Sequence, residues 1–206
     1  MDSSKKSAFS YIFHPAIIPT FISAVLLFFM RGLSPIALPV VAKLYVLLMV
    51  VLFTLVFPFS LIFLLYRLNL ISDIRFADRK QRTLPLLVMA SAYLMMLVFF
   101  RNIYLPPVLV YIYYAYTVTV LVGIVINIFY KISFHALGWS ALITAIYMVS
   151  LRLGSGRLLL LLFCSIIFGG FAGYAQLKED SHTPWQVYSG YIMGFLIIGV
   201  ISALNF

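Results

Sequence analysis

The sequence predicts an all-α fold, a polytopic transmembrane helical bundle of 6–7 spans, and three observations carry that expectation. The 206 residues are 65% hydrophobic and only 9% charged, with a mean hydropathy of +1.13, so a water-soluble domain of this length would lack the polar surface to cover itself. The apolar stretches are long enough for helices of about 20 residues, the length that crosses ~30 Å of hydrocarbon. No stretch alternates apolar and polar residues with a period of two, which leaves helices rather than a barrel to satisfy the backbone inside a bilayer. The length suits one integral membrane domain, residues 1–206, without a soluble second one.

Met1–Ser10 is polar, carries Lys5 and Lys6, and leads into no short apolar run with a small-residue cleavage site, so the first apolar segment is expected to be retained. That segment, about residues 15–31, opens on His14-Pro15 and Pro19; proline is harmless where the first N–H groups lack intrahelical partners. It is short for a span. Arg31–Pro39 reads as a turn, and the second segment runs over about 40–66 with a kink expected at Pro58. The hydrophilic stretch Arg67–Leu84 follows, and Pro85 is expected to begin a third segment ending near Phe100. The fourth covers about 108–130, with Thr117, Thr119 and Asn127 placed to hydrogen-bond between helices. The fifth (136–151), sixth (158–175) and last (185–204) complete seven apolar segments, six of full length. Gly169 with Gly173 and Gly190 with Gly194 form two small-xxx-small pairs, which predict close approach of the sixth and last helices.

Two polar islands interrupt the apolar runs. One is Lys131–His135 (KISFH); the other is Tyr174–Val187 (YAQLKEDSHTPWQV). Two segments separate the basic stretch from the first island, and two more separate the islands, so all three are expected at one membrane face. If seven segments cross, that face holds Lys5, Lys6, Arg67, Arg75, Arg79, Lys80, Arg82, Lys131 and Lys178 against Arg31, Lys43, Arg101, Arg152 and Arg157. Nine cations against five favour the cytoplasmic side. Setting aside the five that are candidates for binding phosphate leaves four against five and no preference. The expected location is a bacterial inner (cytoplasmic) membrane. The net charge of +9 is read as attraction to anionic headgroups. Nucleic acid is not an expected partner, since the basic residues form no stripe with exposed aromatics. The single cysteine, Cys164, excludes an intrachain disulfide, and two histidines with no suitably placed third ligand make no zinc site. No cofactor is expected.

The islands hold the residue types of a histidine-based phosphoryl transfer. Such a reaction needs a neutral imidazole of fixed tautomer, cations around the phosphoryl oxygens and an acid for the leaving alkoxide. His182 is the candidate nucleophile and His135 the candidate acid. Gln186, four residues after His182, can hold an imidazole N–H through its amide oxygen. Arg79, Lys80, Arg82, Lys131 and Lys178 are the candidate phosphate-binding cations.

At these residues the chain resembles the type-2 phosphatidic acid phosphatase superfamily of membrane lipid phosphatases. Ile132-Ser133-Phe134-His135 is similar to that family's Pro-Ser-Gly-His motif, keeping the serine and histidine, which adds Ser133 to the candidate phosphate-binding residues. Ala175-Gln176 followed by His182 and Gln186 has the spacing of the family's Ser-Arg, His, Asp motif and keeps its histidine. Asp78–Pro85 (DRKQRTLP) is loosely similar to the motif of a lysine followed by Arg-Pro. The resemblance covers about residues 78–194. It implies a phosphatase-like core over about 40–206 with an extra N-terminal segment at 15–31, and metal-independent hydrolysis of a phosphorylated lipid. The departures imply that activity is weak or lost. Gln176 stands where an arginine would clamp phosphate bidentately, and Gln186 stands where an aspartate would stabilise the imidazolium. Glu179 and Asp180 would repel a phosphate dianion.

A structural reading competes at each position. Thr183-Pro184-Trp185-Gln186 fits a capping box with proline at the first helical position, and Trp185 fits an interface anchor. Ser133 can cap the fifth helix while Lys131 snorkels to headgroups. The basic run at 75–82 fits a headgroup-facing loop, and His14 a helix start. The alternative function is therefore a non-enzymatic membrane protein for lipid binding, transport or assembly.

Overall fold

The computed structural model describes residues 14–28, 38–71, 79–154 and 156–205. Among them every regular element is helical, as the composition requires, and six helices are long and apolar enough to cross a membrane. A 3-10 turn, Pro15–Ile17, leads into α1, Ile18–Phe28. Together these make the shorter apolar helix Pro15–Phe28. The six long helices are α2 (Val40–Arg67), α3 (Arg79–Phe100), α4 (Pro107–Phe129), α5 (Phe134–Leu153), α6 (Leu159–Lys178) and α7 (Pro184–Asn205). The chain forms two compact units, Pro19–Ile128 and Met1–Ile18 with Phe129–Phe206.

In the Pro19–Ile128 unit, α2 is one helix interrupted by a π-turn at Leu52–Val56. A π-turn precedes Pro58, where a kink is expected: proline has no N–H to give and its ring crowds the carbonyl four residues back, so the ladder widens one turn earlier. The Phe57 N–H accordingly reaches the Leu52 carbonyl. The turn places the buried Thr54 hydroxyl 3.2 Å from that of Thr20 on α1. Ile62 of α2 packs with Val88 of α3 and with Ile71, and Phe100 of α3 stacks on Tyr113 of α4 at 5.6 Å. Ser23 of α1 donates to the Pro19 carbonyl, so the Tyr113 hydroxyl, 2.7 Å away, donates to Ser23.

Two expectations are corrected in this unit. Pro85 does not begin α3; it lies inside the helix, which starts at Arg79. A proline removes only the bond to the carbonyl four residues back, and the polar residues before it prolong the helix beyond the apolar stretch. Thr117 and Thr119 donate to the carbonyls of Tyr113 and Ala115 in their own helix, at 2.7 and 2.8 Å, instead of to a neighbour. A hydroxyl that bonds four residues back is satisfied without any partner helix.

The other unit is built around α5. Of its span 67% is buried, against 39% for α6 and 39% for α7. Gly190 and Gly194 set the α5–α7 contact. A Cβ on Gly190 would lie 2.8 Å from the Ser133 carbonyl oxygen and 2.9 Å from the Ala136 Cβ, and one on Gly194 would strike the Ser140 hydroxyl. The Ser140 hydroxyl also reaches the Gly190 carbonyl at 3.4 Å. This corrects the expected pairing of the sixth and last helices. The last helix uses its glycines to approach the fifth, and Gly169 of α6 likewise faces Trp139 and Ile143 of α5. Part of the expected contact remains: Gly173 meets α7, where the Tyr191 hydroxyl passes beside it to donate to the Gly169 carbonyl. Trp139 and Phe168 meet edge to face at 6.2 Å and fill the α5–α6 seam.

Candidate functional site

α6 ends in a Schellman turn: the Ser181 N–H donates to the Gln176 carbonyl and the Asp180 N–H to that of Leu177. The motif requires a left-handed residue, and Asp180 takes it at φ 50 in place of the usual glycine. Four residues after Asp180, at Pro184, α7 begins. Its entry is the expected capping box. The Gln186 N–H donates to the Thr183 hydroxyl at 3.4 Å, while the Gln186 Oε1 accepts the Thr183 N–H at 3.2 Å. Pro184 occupies the first helical position.

The same Gln186 oxygen lies 3.0 Å from Nδ1 of His182, whose side chain is buried. Because the Thr183 N–H identifies that amide atom as an acceptor, the imidazole carries a proton on Nδ1. The sequence offered capping and imidazole-holding as rivals; one oxygen does both.

At the same end, the Ser133 N–H donates to the Gln186 carbonyl at 3.1 Å and ties the start of α5 to the start of α7. Ser133 is fully buried and its hydroxyl caps α5, accepting from the Ala136 N–H at 3.5 Å. His135, in the first turn of α5, is half-buried and meets the ring of His14 edge-on, with centroids 5.3 Å apart. His14 caps the 3-10 turn through Nδ1, which accepts the Ala16 N–H at 3.2 Å. The helix-start role expected of His14 is present, but its contact with His135 was not foreseen. No local signal announces it, since it is made across most of the chain's length.

The cations are distributed less favourably. Lys131 is half-buried beside this end, and Lys178 is exposed with its Nζ 5.7 Å from the centre of the Tyr174 ring. Against them stand Glu179 and Asp180, so the described side-chain charges of this helix end cancel. Gln176 is buried. Arg79, Lys80 and Arg82 belong to the other unit, in the first turn of α3, with Arg82 half-buried. The side chains of Arg79 and Lys80, and all of residues 72–78 including Arg75 and Asp78, lie outside the described residues. Among the described residues no group of three histidine, cysteine or acidic side chains is arranged to hold a metal ion. Comparison with protein-family models, curated proteins and solved structures found no match to the chain.

Proposed function

We propose that this integral membrane protein binds a phosphorylated lipid headgroup at the helix ends that carry His135 and His182, on a scaffold related to the type-2 phosphatidic acid phosphatases, with hydrolysis weakened or lost. The observation that carries the reading is the Gln186 junction. Its side-chain oxygen holds the Nδ1–H of His182 and its carbonyl holds Ser133, two residues from His135. The starts of α5 and α7 lie side by side there, and both direct backbone N–H groups without intrahelical partners, and the positive ends of their dipoles, toward one boundary. In the family's chemistry the lone pair on His182 Nε2 would attack phosphorus. The ester P–O bond would break, His135 would give its proton to the leaving alkoxide, and water would then cleave the phosphohistidine. Gln186 supports the required tautomer and supplies no charge to the imidazolium, which is the reason to expect slow chemistry.

A second reading rests on the completeness of the caps: Thr183, Gln186 and Ser133 are all used structurally. On that reading the protein binds, transports or assembles without catalysis. Purified full-length protein in detergent, offered phosphatidate, phosphatidylglycerophosphate and prenyl diphosphates, separates the possibilities. We expect phosphatidate to bind in preference to phosphatidylcholine, with little phosphate release, and binding to fall in His182→Ala. Robust turnover abolished by His182→Ala would refute the loss of activity. Equal binding of the two lipids would favour the second reading.

A further inference from the structure

The turn between α3 and α4 borders an open cleft of about 800 Å³, within the ~300–1,000 Å³ usual for small-molecule sites. Its floor is the stacked pair Phe100 and Tyr113, the latter anchored to Ser23. Val98 and Val110 form exposed apolar walls, and Arg101, Asn102 and Tyr104 line the cleft as exposed polar residues. Arg101 follows the last helical residue of α3, its N–H donating to the Val98 carbonyl at 3.2 Å. A guanidinium, an amide and a phenol therefore gather at the end of two membrane-length helices, beside a hydrocarbon-lined recess. None of them belongs to the histidine-bearing unit.

We propose that this cleft binds one anionic phospholipid, with Arg101 and Asn102 holding its phosphate and an acyl chain lying against Val98 and Val110. Charge and shape both favour that occupant. Arginine presents paired donors matched to phosphate oxygens, and basic recesses between membrane helices suit anionic headgroups. Tyrosine at the headgroup level places its ring in the apolar zone and its hydroxyl in the polar one. An arginine just past a helix end also complements the helix dipole and snorkels to headgroups without any site. Arg67, exposed in the last turn of α2, is in that ordinary situation and serves as the control.

The test is native mass spectrometry of the delipidated full chain, titrated with phosphatidylglycerol or phosphatidylcholine of identical acyl chains. One phosphatidylglycerol should be retained about tenfold more tightly, because phosphatidylcholine offers the same phosphate but sets its own quaternary ammonium against the Arg101 guanidinium. Arg101→Gln should erase the preference and Val98→Trp should block the chain and lose the bound lipid, while Arg67→Gln leaves it unchanged. Circular dichroism and elution volume confirm that each variant folds; if Arg101→Gln does not, Val98→Trp and Arg67→Gln decide. Equal retention of the two lipids overturns the proposal. So does an equal loss in Arg67→Gln, an unaffected Val98→Trp, or displacement of the lipid by glycerol phosphate at matched concentration.

Discussion

Gln186 is where stability and any chemistry meet on one atom. Its Oε1 accepts from the Thr183 backbone and from His182, while its own N–H donates to the Thr183 hydroxyl. Thr183→Ala and Gln186→Ala should each lower stability in detergent by about 1 kcal/mol, the usual loss for a helix cap. Because they break one reciprocal pair, the double variant should lose measurably less than the sum, which a double-mutant cycle by thermal unfolding detects. Nitrogen NMR of labelled histidine reads the other role: His182 should appear as the Nδ1–H tautomer in the native chain and as a tautomer mixture in Gln186→Ala. Strict additivity together with an unchanged tautomer would remove the junction from both accounts. The capping residues were legible because Thr-Pro-x-Gln combines a cap, a proline and a reciprocal acceptor at fixed local offsets. The choice between cap and imidazole partner was not legible, since offsets of three and four lie on one helix face and serve both. The His14–His135 contact had no local trace at all.

Helix packing in the histidine-bearing unit is governed by where glycines remove bulk. Gly190→Ala and Gly194→Ala would push a methyl group into the backbone and side chains of α5, and each should cost about 1–3 kcal/mol as overpacking. A Cβ added to Gly170 or Gly199 would meet nothing within 4 Å. Gly170→Ala and Gly199→Ala should therefore be neutral or stabilising by up to ~1 kcal/mol through helix propensity. Unfolding in graded detergent mixtures compares the four directly; equal losses would mean that the α5–α7 seam is looser than described. In this case the sequence marks close approach but not the partner. A small-xxx-small pair says that some backbone comes near, and adjacency along the chain pointed to the sixth helix. The partner is the fifth because α5 carries Ser133, Ala136 and Ser140 at the matching face, and those small groups accept a glycine helix. The π-turn at Leu52–Val56 was half legible. Pro58 announces a broken ladder, and only packing of Thr54 against Thr20 decides where the extra residue goes. Thr54→Val, which keeps the shape and removes that hydroxyl pair, should lower stability by roughly 0.6–2 kcal/mol in the same assay.

For the whole chain, composition decides the class and topology decides little beyond it. Among the described residues six apolar helices of 19 to 28 residues are long enough to cross a bilayer, whereas Pro15–Phe28, fewer than 18 residues long, extends only about 21 Å at 1.5 Å per residue. Orientation stays hidden in the sequence because five of the nine cations counted toward one face are also candidate phosphate ligands, so the same charges serve two arguments. Side-selective labelling supplies what the charge count cannot. In a Cys164→Ser background, Lys131→Cys and Lys178→Cys should react with an impermeant maleimide from one face of sealed vesicles, and Arg152→Cys only from the other. Lys131 precedes the start of α5, Arg152 lies in its last turn, and the Ser133–Gln186 hydrogen bond fixes the start of α7, which follows Lys178, beside the start of α5. Labelling of 131 and 178 from opposite faces would contradict that bond, and with it the junction on which headgroup binding by the two histidines depends.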